Sequence, residues 1–398
     1  MELKTFLFSL IVIYIFARLL GELAVRIGQS SVLGELLAGV LVGPSLLGLV
    51  HPTETLTLLG EIGVMLLLFE VGLESDLQSF LRVGPSAAVV ALIGVAVPFT
   101  LGYGVAATLH VTTLQAIFVG ATLTATSVAI SARVLSDLGR LQSHEGTIIL
   151  GAAVLDDILG LVILSVMVGL AESGTISWLA IAQTASLAIL FLSGAIVFGH
   201  RYATLFSKLV NRLNTRGALV ITALTFALLL GYVAEEVRVA PLVGAFAAGL
   251  ILARTEHQGL IEERLKPITD VFVPIFFVLV GVAVNLTHLN PFNPQNRSVL
   301  FLAGGLTLVA IIGKLASGWG VLDRSVNRWV VGVGMVPRGE VGLIFAGVGL
   351  GAHIITEAQY GAILVVVAVT TFLSPVLLKR LLRDGHAAKE SVARRLRS

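Results

Sequence analysis

The feature that constrains this chain most is a near-unbroken succession of apolar stretches of bilayer length. A hydrocarbon core about 30 Å thick calls for about 20 apolar residues per helix. Thirteen stretches meet or approach that length: 4–25, 32–50, 56–75, 84–108, 112–135, 145–171, 178–200, 216–235, 240–254, 266–287, 298–320, 327–351 and 357–378. The connections are short, with no inserted soluble domain. Apolar residues make up 56% of the 398 positions and charged residues only 13%, about half the charged share of a soluble domain. Mean hydropathy is +0.98. A soluble domain cannot bury that much apolar surface, which excludes a water-soluble enzyme. The first stretch has Glu2 beside Lys4 and no clear small-residue cleavage site, so it reads as a retained helix and not a signal peptide. The expected fold is an all-α polytopic membrane protein with 13 transmembrane helices.

Thirteen spans put the termini on opposite faces. Of 26 Lys and Arg, three (Lys4, Arg238 and Arg297) lie at span ends or in loops on the N-terminal side, and twenty lie at span ends, in loops or in the tail on the other. Cytoplasmic loops carry the excess of Lys and Arg. The C-terminus, with its basic tail 379–398, is therefore expected in the cytoplasm and the N-terminus outside. The remaining three cations, Arg18, Lys314 and Arg338, lie in or near spans. The net charge of +2 reflects these loops and gives no sign of a nucleic-acid partner.

The chain repeats itself. Val32-Leu33-Gly34-Glu35-Leu36-Leu37-Ala38-Gly39 resembles Leu242-Val243-Gly244-Ala245-Phe246-Ala247-Ala248-Gly249 at a shift of 210. Leu67-Leu68-Phe69-Glu70-Val71-Gly72-Leu73 resembles Phe276-Phe277-Val278-Leu279-Val280-Gly281-Val282 at a shift of 209. These shifts pair span 2 with 9 and span 3 with 10. A displacement of seven spans is odd, so spans 1–6 and 8–13 are expected as inverted repeats, which place transport sites near the midplane. The same shift pairs spans 5 and 12. Thr122-Leu123-Thr124-Ala125-Thr126-Ser127 interrupts the first, and Gly334-Met335-Val336-Pro337-Arg338-Gly339-Glu340 the second. Non-helical backbone at membrane depth is tolerated only inside protein or beside water. Two matched interruptions therefore mark a binding site.

Charge inside the membrane marks the same region. Asp156 and Asp157 sit side by side near the middle of span 6. A carboxylate there costs at least about 2.5 kcal/mol, so such residues are usually functional. Neighbours on a helix point about 100° apart, so the two need not share a partner. Lys314 is the one lysine inside a span. It either pairs with one aspartate, leaving the other for a cation or proton, or extends toward the cytoplasmic surface. Arg338 and Glu340 are expected to neutralise helix ends or pair with Glu70 or Glu35.

Several classes are excluded. With no Cys and no His in mid-span, thiolate and His-based metal sites drop out. There is no nucleotide-binding loop, so no nucleotide and no cofactor is expected, and an ion gradient must drive transport. A potassium-channel filter is missing. Adjacent aspartates on one helix do not make an intramembrane protease, which needs two facing ones.

Taken together, Gly39 to Gly48, Phe69-Glu70-Val71-Gly72-Leu73-Glu74, the break at Thr124–Ser127, Asp156-Asp157, Gly313-Lys314 and Pro337-Arg338-Gly339-Glu340 resemble the monovalent cation:proton antiporter superfamily. The branch is that of NapA-type bacterial Na+/H+ antiporters and Kef K+ systems, and the resemblance covers about residues 1–380. It implies two crossing discontinuous helices, spans 5 and 12. It also implies a core ion-transport domain (84–171 and 298–378), a dimerisation domain (1–83 and 216–297) and a linking helix (172–215). Asp157 would bind Na+ or Li+ and Asp156 would pair with Lys314. Members with two adjacent aspartates look electrogenic. Kef systems carry a nucleotide-binding C-terminal domain, which the short tail here does not match. NhaA-type members often have an aspartate at the span 5 break, where this sequence has Thr and Ser.

The expected function is electrogenic Na+(Li+)/H+ antiport in a bacterial inner membrane. Cation and proton compete for Asp157, helped by hydroxyls of Thr126 or Ser127, with elevator-type alternating access. A homodimer is expected, formed through the small-residue faces of spans 2 and 9 or through span 1. A K+/H+ antiporter of the same fold is the alternative, followed by a cation channel or sensor.

Overall fold

The computed structural model describes residues 2–284 and 296–395, apart from 110, 174, 176, 211, 213, 214 and 216. The described residues form fifteen α-helices, a short 3-10 turn at Gly318–Gly320 and no strand. They are α1 (Leu3–Arg26), α2 (Ser31–Val42), α3 (Glu54–Glu74), α4 (Leu77–Thr108), α5 (Thr113–Thr122), α6 (Val128–Asp137), α7 (His144–Ser173) and α8 (Trp178–Val210). After them come α9 (Ala218–Glu236), α10 (Pro241–Leu252), α11 (Gln258–Val282), α12 (Asn296–Ser317), α13 (Arg328–Gly334), α14 (Glu340–Gly351) and α15 (Glu357–Arg395). Nine of these are long and apolar enough to cross a membrane. The outward face of α1 carries Leu7, Ile11, Ile15 and Leu19, all exposed, at the spacing of a single helix stripe. Charge goes the other way: Glu35, Glu70, Asp156, Asp157, Lys314 and Arg338 are buried.

Each apolar stretch contains helix, but several ends differ from the expected ones. The stretches 32–50 and 240–254 hold helices of 12 residues, about 18 Å long and short of the hydrocarbon core. α2 stops because Gly43-Pro44 follows it, and proline disfavours helix in the residue before it. The chain then folds back, the Leu49 and Val50 amides donating to the Val42 carbonyl at 2.9 and 3.0 Å. α4 begins at Leu77 and not near 84, because the Asp76 side chain caps it, accepting from the Ser79 amide at 2.8 Å. α8 continues to Val210, and α15 carries on as helix through most of the basic tail. Residues 285–287 of the expected span 266–287 and residues 396–398 of the tail lie outside the described residues.

Backbone-to-backbone packing follows the internal repeat. A Cβ on Gly39 would lie 2.0 Å from the Val278 carbonyl oxygen, and one on Gly281 would lie 2.1 Å from that of Leu36. The image pair behaves alike. Gly72 faces the Phe246 carbonyl at 2.4 Å and Gly249 faces that of Phe69 at 2.2 Å, measured from the Cβ each lacks. Only glycine permits such an approach. α2 thus lies on α11 and α3 on α10. This corrects one expectation: the glycine faces of α2 and α10 are consumed inside the chain and are not available to a second copy. Elsewhere α4 packs against α5, α7 and α12, and α12 against α15.

Candidate ion-binding site

Two interruptions meet at the centre. Residues 123–127 separate α5 from α6, and residues 335–339 separate α13 from α14. Leaving the helix frees backbone donors and acceptors that apolar surroundings cannot satisfy. The two breaks satisfy each other. The Ser127 amide donates to the Pro337 carbonyl at 2.9 Å. The Ser131 hydroxyl donates to the Gly334 carbonyl at 2.5 Å, and the Thr126 hydroxyl approaches that of Met335 at 3.4 Å. Two hydroxyls of α15 finish the second break, Thr371 donating to the Arg338 carbonyl at 2.7 Å and Ser374 to that of Val333 at 3.1 Å. Gly339 lets the two breaks touch, since a Cβ there would lie 2.9 Å from both Cβ and Oγ of Ser127.

The charged groups converge on this junction. Lys314 Nζ lies 3.3 Å from both carboxylate oxygens of Asp156, and the side chains are 0% and 1% exposed. Lys314 therefore does not extend to the surface, and the pairing alternative holds. Asp156 Oδ2 also accepts the Thr126 amide at 2.7 Å, next to the positive end of α6. The Arg338 guanidinium is fully buried and donates to the carbonyls of Ala125 at 3.1 Å and Ala310 at 3.4 Å. It ties both breaks to α12, and the expected pairing with Glu70 or Glu35 is not made. Asp157 is buried one residue beyond Asp156. Ser127 is buried too, and its Oγ has no hydrogen-bond partner among the described residues. The whole can hold a small cation on oxygen ligands: a carboxylate, a hydroxyl and the carbonyls of opened helix turns. Among the described residues no cluster of three His, Asp or Glu suits a tightly held metal.

The family model described as "Sodium/hydrogen exchanger, transmembrane" matches residues 10–384. The chain belongs to this family. The exchanger is 43% identical to the high-affinity Na+/H+ antiporter NhaS3 of Synechocystis, over 94% of this chain and 89% of that one. It is 34% identical to the Na+/H+-K+ antiporter GerN of Bacillus cereus, over 94% and 95%. Its fold matches that of the sodium proton antiporter MjNhaP1 of Methanocaldococcus jannaschii with a TM-score of 0.68, at 18% identity, covering 96% and 100% of the two chains. The exchanger is a multi-pass membrane transporter and not an enzyme.

Of the residues singled out from sequence, Asp156, Asp157, Lys314, Thr126, Ser127 and Arg338 belong to this centre. Glu70 does not. It lies on α3 with Thr269, Glu74, Arg133 and Lys266 as its polar neighbours. Glu340 opens α14, and its side chain lies outside the described residues. Sequence reasoning missed Ser131, Thr371 and Ser374. Their signal was available: Ser131 sits one turn after Ser127, and Thr371 and Ser374 are three apart within an apolar span.

Proposed function

We propose that this exchanger is an electrogenic Na+(Li+)/H+ antiporter of a bacterial inner membrane, with Asp157 as the group for which cation and proton compete. One observation carries the reading. Asp156 is engaged by Lys314 and the Thr126 amide, while Asp157 points about 100° away around α7. The two carboxylates thus have different tasks. Deprotonated Asp157 binds Na+, with the Ser127 hydroxyl, opened-turn carbonyls and water completing the shell. A proton displaces the cation. Thr126 contributes mainly through its amide, because its hydroxyl faces Met335. Alternation of the Lys314–Asp156 pair carries a second proton, and this makes exchange electrogenic.

The surrounding architecture is proposed to serve alternating access. The thirteen spans form inverted repeats, with α5–α6 and α13–α14 as two crossing discontinuous helices. Spans 4–6 and 11–13 form a core that moves as an elevator against a scaffold of spans 1–3 and 8–10, linked by α8. The scaffold dimerises through its lipid-facing surface, of which the apolar stripe of α1 is part. The C-terminus faces the cytoplasm, as the distribution of Lys and Arg supports. No cofactor takes part. K+ is a second cation to consider, because GerN is named for both Na+ and K+.

The test uses purified protein in proteoliposomes with a pH-sensitive dye inside. Adding Na+ or Li+ should dequench the dye, and Asp157→Asn should abolish both the response and Na+ binding. Robust Na+/H+ exchange by the Asn variant would remove Asp157 from the site. A response to K+ alone would replace Na+ as the substrate.

A further inference from the structure

A second polar cluster lies away from the ion site, where α6 meets α2. Asp137 is the last residue of α6. Its Oδ2 accepts the hydroxyls of Ser30 at 2.8 Å and Ser31 at 3.0 Å, at the start of α2. Its Oδ1 lies 3.2 Å from Arg133 Nε. Ser30 is the N-cap residue of α2, yet its side chain caps nothing and reaches across to α6 instead. Nearby, Gln142 Nε2 donates to the carbonyl of Glu74 at 2.7 Å, so the segment after α6 is tied to the end of α3 as well.

The cluster also contains a second arrangement in waiting. Glu35, one turn into α2, is buried, and its Oε2 has no hydrogen-bond partner among the described residues. The Arg133 Nε is buried and makes no aligned hydrogen bond, only the ion pair with Asp137. Asp137 on its own helix is the carboxylate in contact with Arg133. Glu35 on α2, Asp270 on α11 and Glu70 on α3 act on it electrostatically at longer range, as do Arg18 on α1 upon Glu35 and Lys266 on α11 upon Glu70. Arg133 is thus paired with Asp137, whose other oxygen the serines engage, and the buried Glu35 offers an open oxygen as a second carboxylate.

We propose that Asp137, held by Ser30 and Ser31, is a catch that closes the core against the scaffold on the cytoplasmic side. Each transport cycle breaks and remakes it, with Arg133 passing from Asp137 to Glu35 when the serines let go. This rests on the alternating-access reading above. Hydroxyl–carboxylate bonds suit such a catch. They are short-range and directional, and at a partly exposed position water replaces them at little net loss. The glycine contacts inside the scaffold have no such substitute.

The chain contains no cysteine, so an introduced pair is the only thiol chemistry present. Ser31→Cys with Asp137→Cys, in the full-length protein in proteoliposomes, is bridged by a short bis-methanethiosulfonate reagent. A Cys at 137 ends where the Asp137 Cγ stands, one bond short of the Oδ2 that makes the 3.0 Å contact with Ser31, and a direct disulfide demands strict geometry, hence the bridging reagent. Bridging, verified by mass spectrometry, should lower Na+/H+ exchange at least tenfold, and dithiothreitol should restore it. Fully bridged protein that exchanges within twofold of the reduced form overturns the catch. Should the reduced pair be inert, Ser30→Ala with Ser31→Ala, which keeps every charge, decides. At least a fivefold change in half-saturating Na+ supports the catch, and an unchanged value overturns it. Unsubstituted protein that fails to exchange defeats the transport reading itself. Active unsubstituted protein with an indifferent bridge defeats only the catch.

Discussion

Replacing Asp156 by Asn tests the centre of the site through stability before any transport is measured. Lys314 is 0% and Asp156 1% exposed, so the change leaves an ammonium in an apolar interior with its counter-charge gone. The Asn carbonyl can still accept the Thr126 amide, which turns its NH2 toward Lys314. Arg338, a second buried cation, faces the same carboxylate. Removing one partner of a buried pair costs about 3–5 kcal/mol. The two contacts here are 3.3 Å, longer than the ~2.8 Å of a strong charge-assisted bond. That places the expected loss near the lower end, about 3 kcal/mol. Lys314→Gln should cost about as much. Replacing both leaves two neutral amides and should return to within about 1 kcal/mol of the parent, because the desolvation of both charges disappears with them. At no more than ~2 °C per kcal/mol for a chain of this size, each single variant should melt up to roughly 6 °C lower and the double variant no more than roughly 2 °C lower. Thermal unfolding in detergent, followed by the monodisperse fraction on size exclusion, reads the difference. A double variant as unstable as the two single losses added together would show that Lys314 and Asp156 are not coupled, and the pairing argument would fall.

The same double variant, Asp156→Asn with Lys314→Gln, should keep some exchange but make it electroneutral. Currents on solid-supported membranes at the parent stoichiometry would show that the second proton travels elsewhere. Ser127→Ala should raise half-saturating Na+ about tenfold, the worth of one ligand hydroxyl of about 1.4 kcal/mol, without lowering the melting temperature. If Thr126→Val has that effect and Ser127→Ala has none, the ligand assignment is reversed. Gly39→Ala should destabilise by about 1–3 kcal/mol or more, because the added Cβ meets the Val278 carbonyl, a backbone atom. Gly84→Ala on α4 meets nothing within 4 Å and should be neutral or stabilising by up to about 1 kcal/mol. Equal melting temperatures for the two would contradict the packing.

What the sequence made legible follows from which interactions leave a mark on residue identity. A charge in a bilayer is costly whatever its partner, so Asp156, Asp157 and Lys314 announce themselves. One lysine inside the spans, with two carboxylates to choose from, leaves a pair or an extension to the surface open; the family resemblance points to Asp156, and that pair forms across 158 positions of chain. Arg338 announces itself in the same way, yet its partner could not be read. Its guanidinium ends on the carbonyls of Ala125 and Ala310, an acceptor that every residue carries and no side chain advertises. Of the two expectations for it, the pairing with Glu70 or Glu35 is not made, and the neutralising of helix ends fits its contact with the opened turn at Ala125. The glycines behave alike. Gly39 and Gly249 signal close packing, but a missing Cβ says nothing about which backbone fills the space, and the filler proved to be the chain itself. Helix breaks concentrate this blindness, since opening a turn exposes backbone groups that then serve as partners. A candidate site built on two helix breaks is therefore visible through the residues that interrupt the pattern and through the charges beside them. Its internal contacts stay hidden until the two breaks are seen to touch, because the Ser127 amide and the Pro337 carbonyl that join them are backbone atoms on both sides.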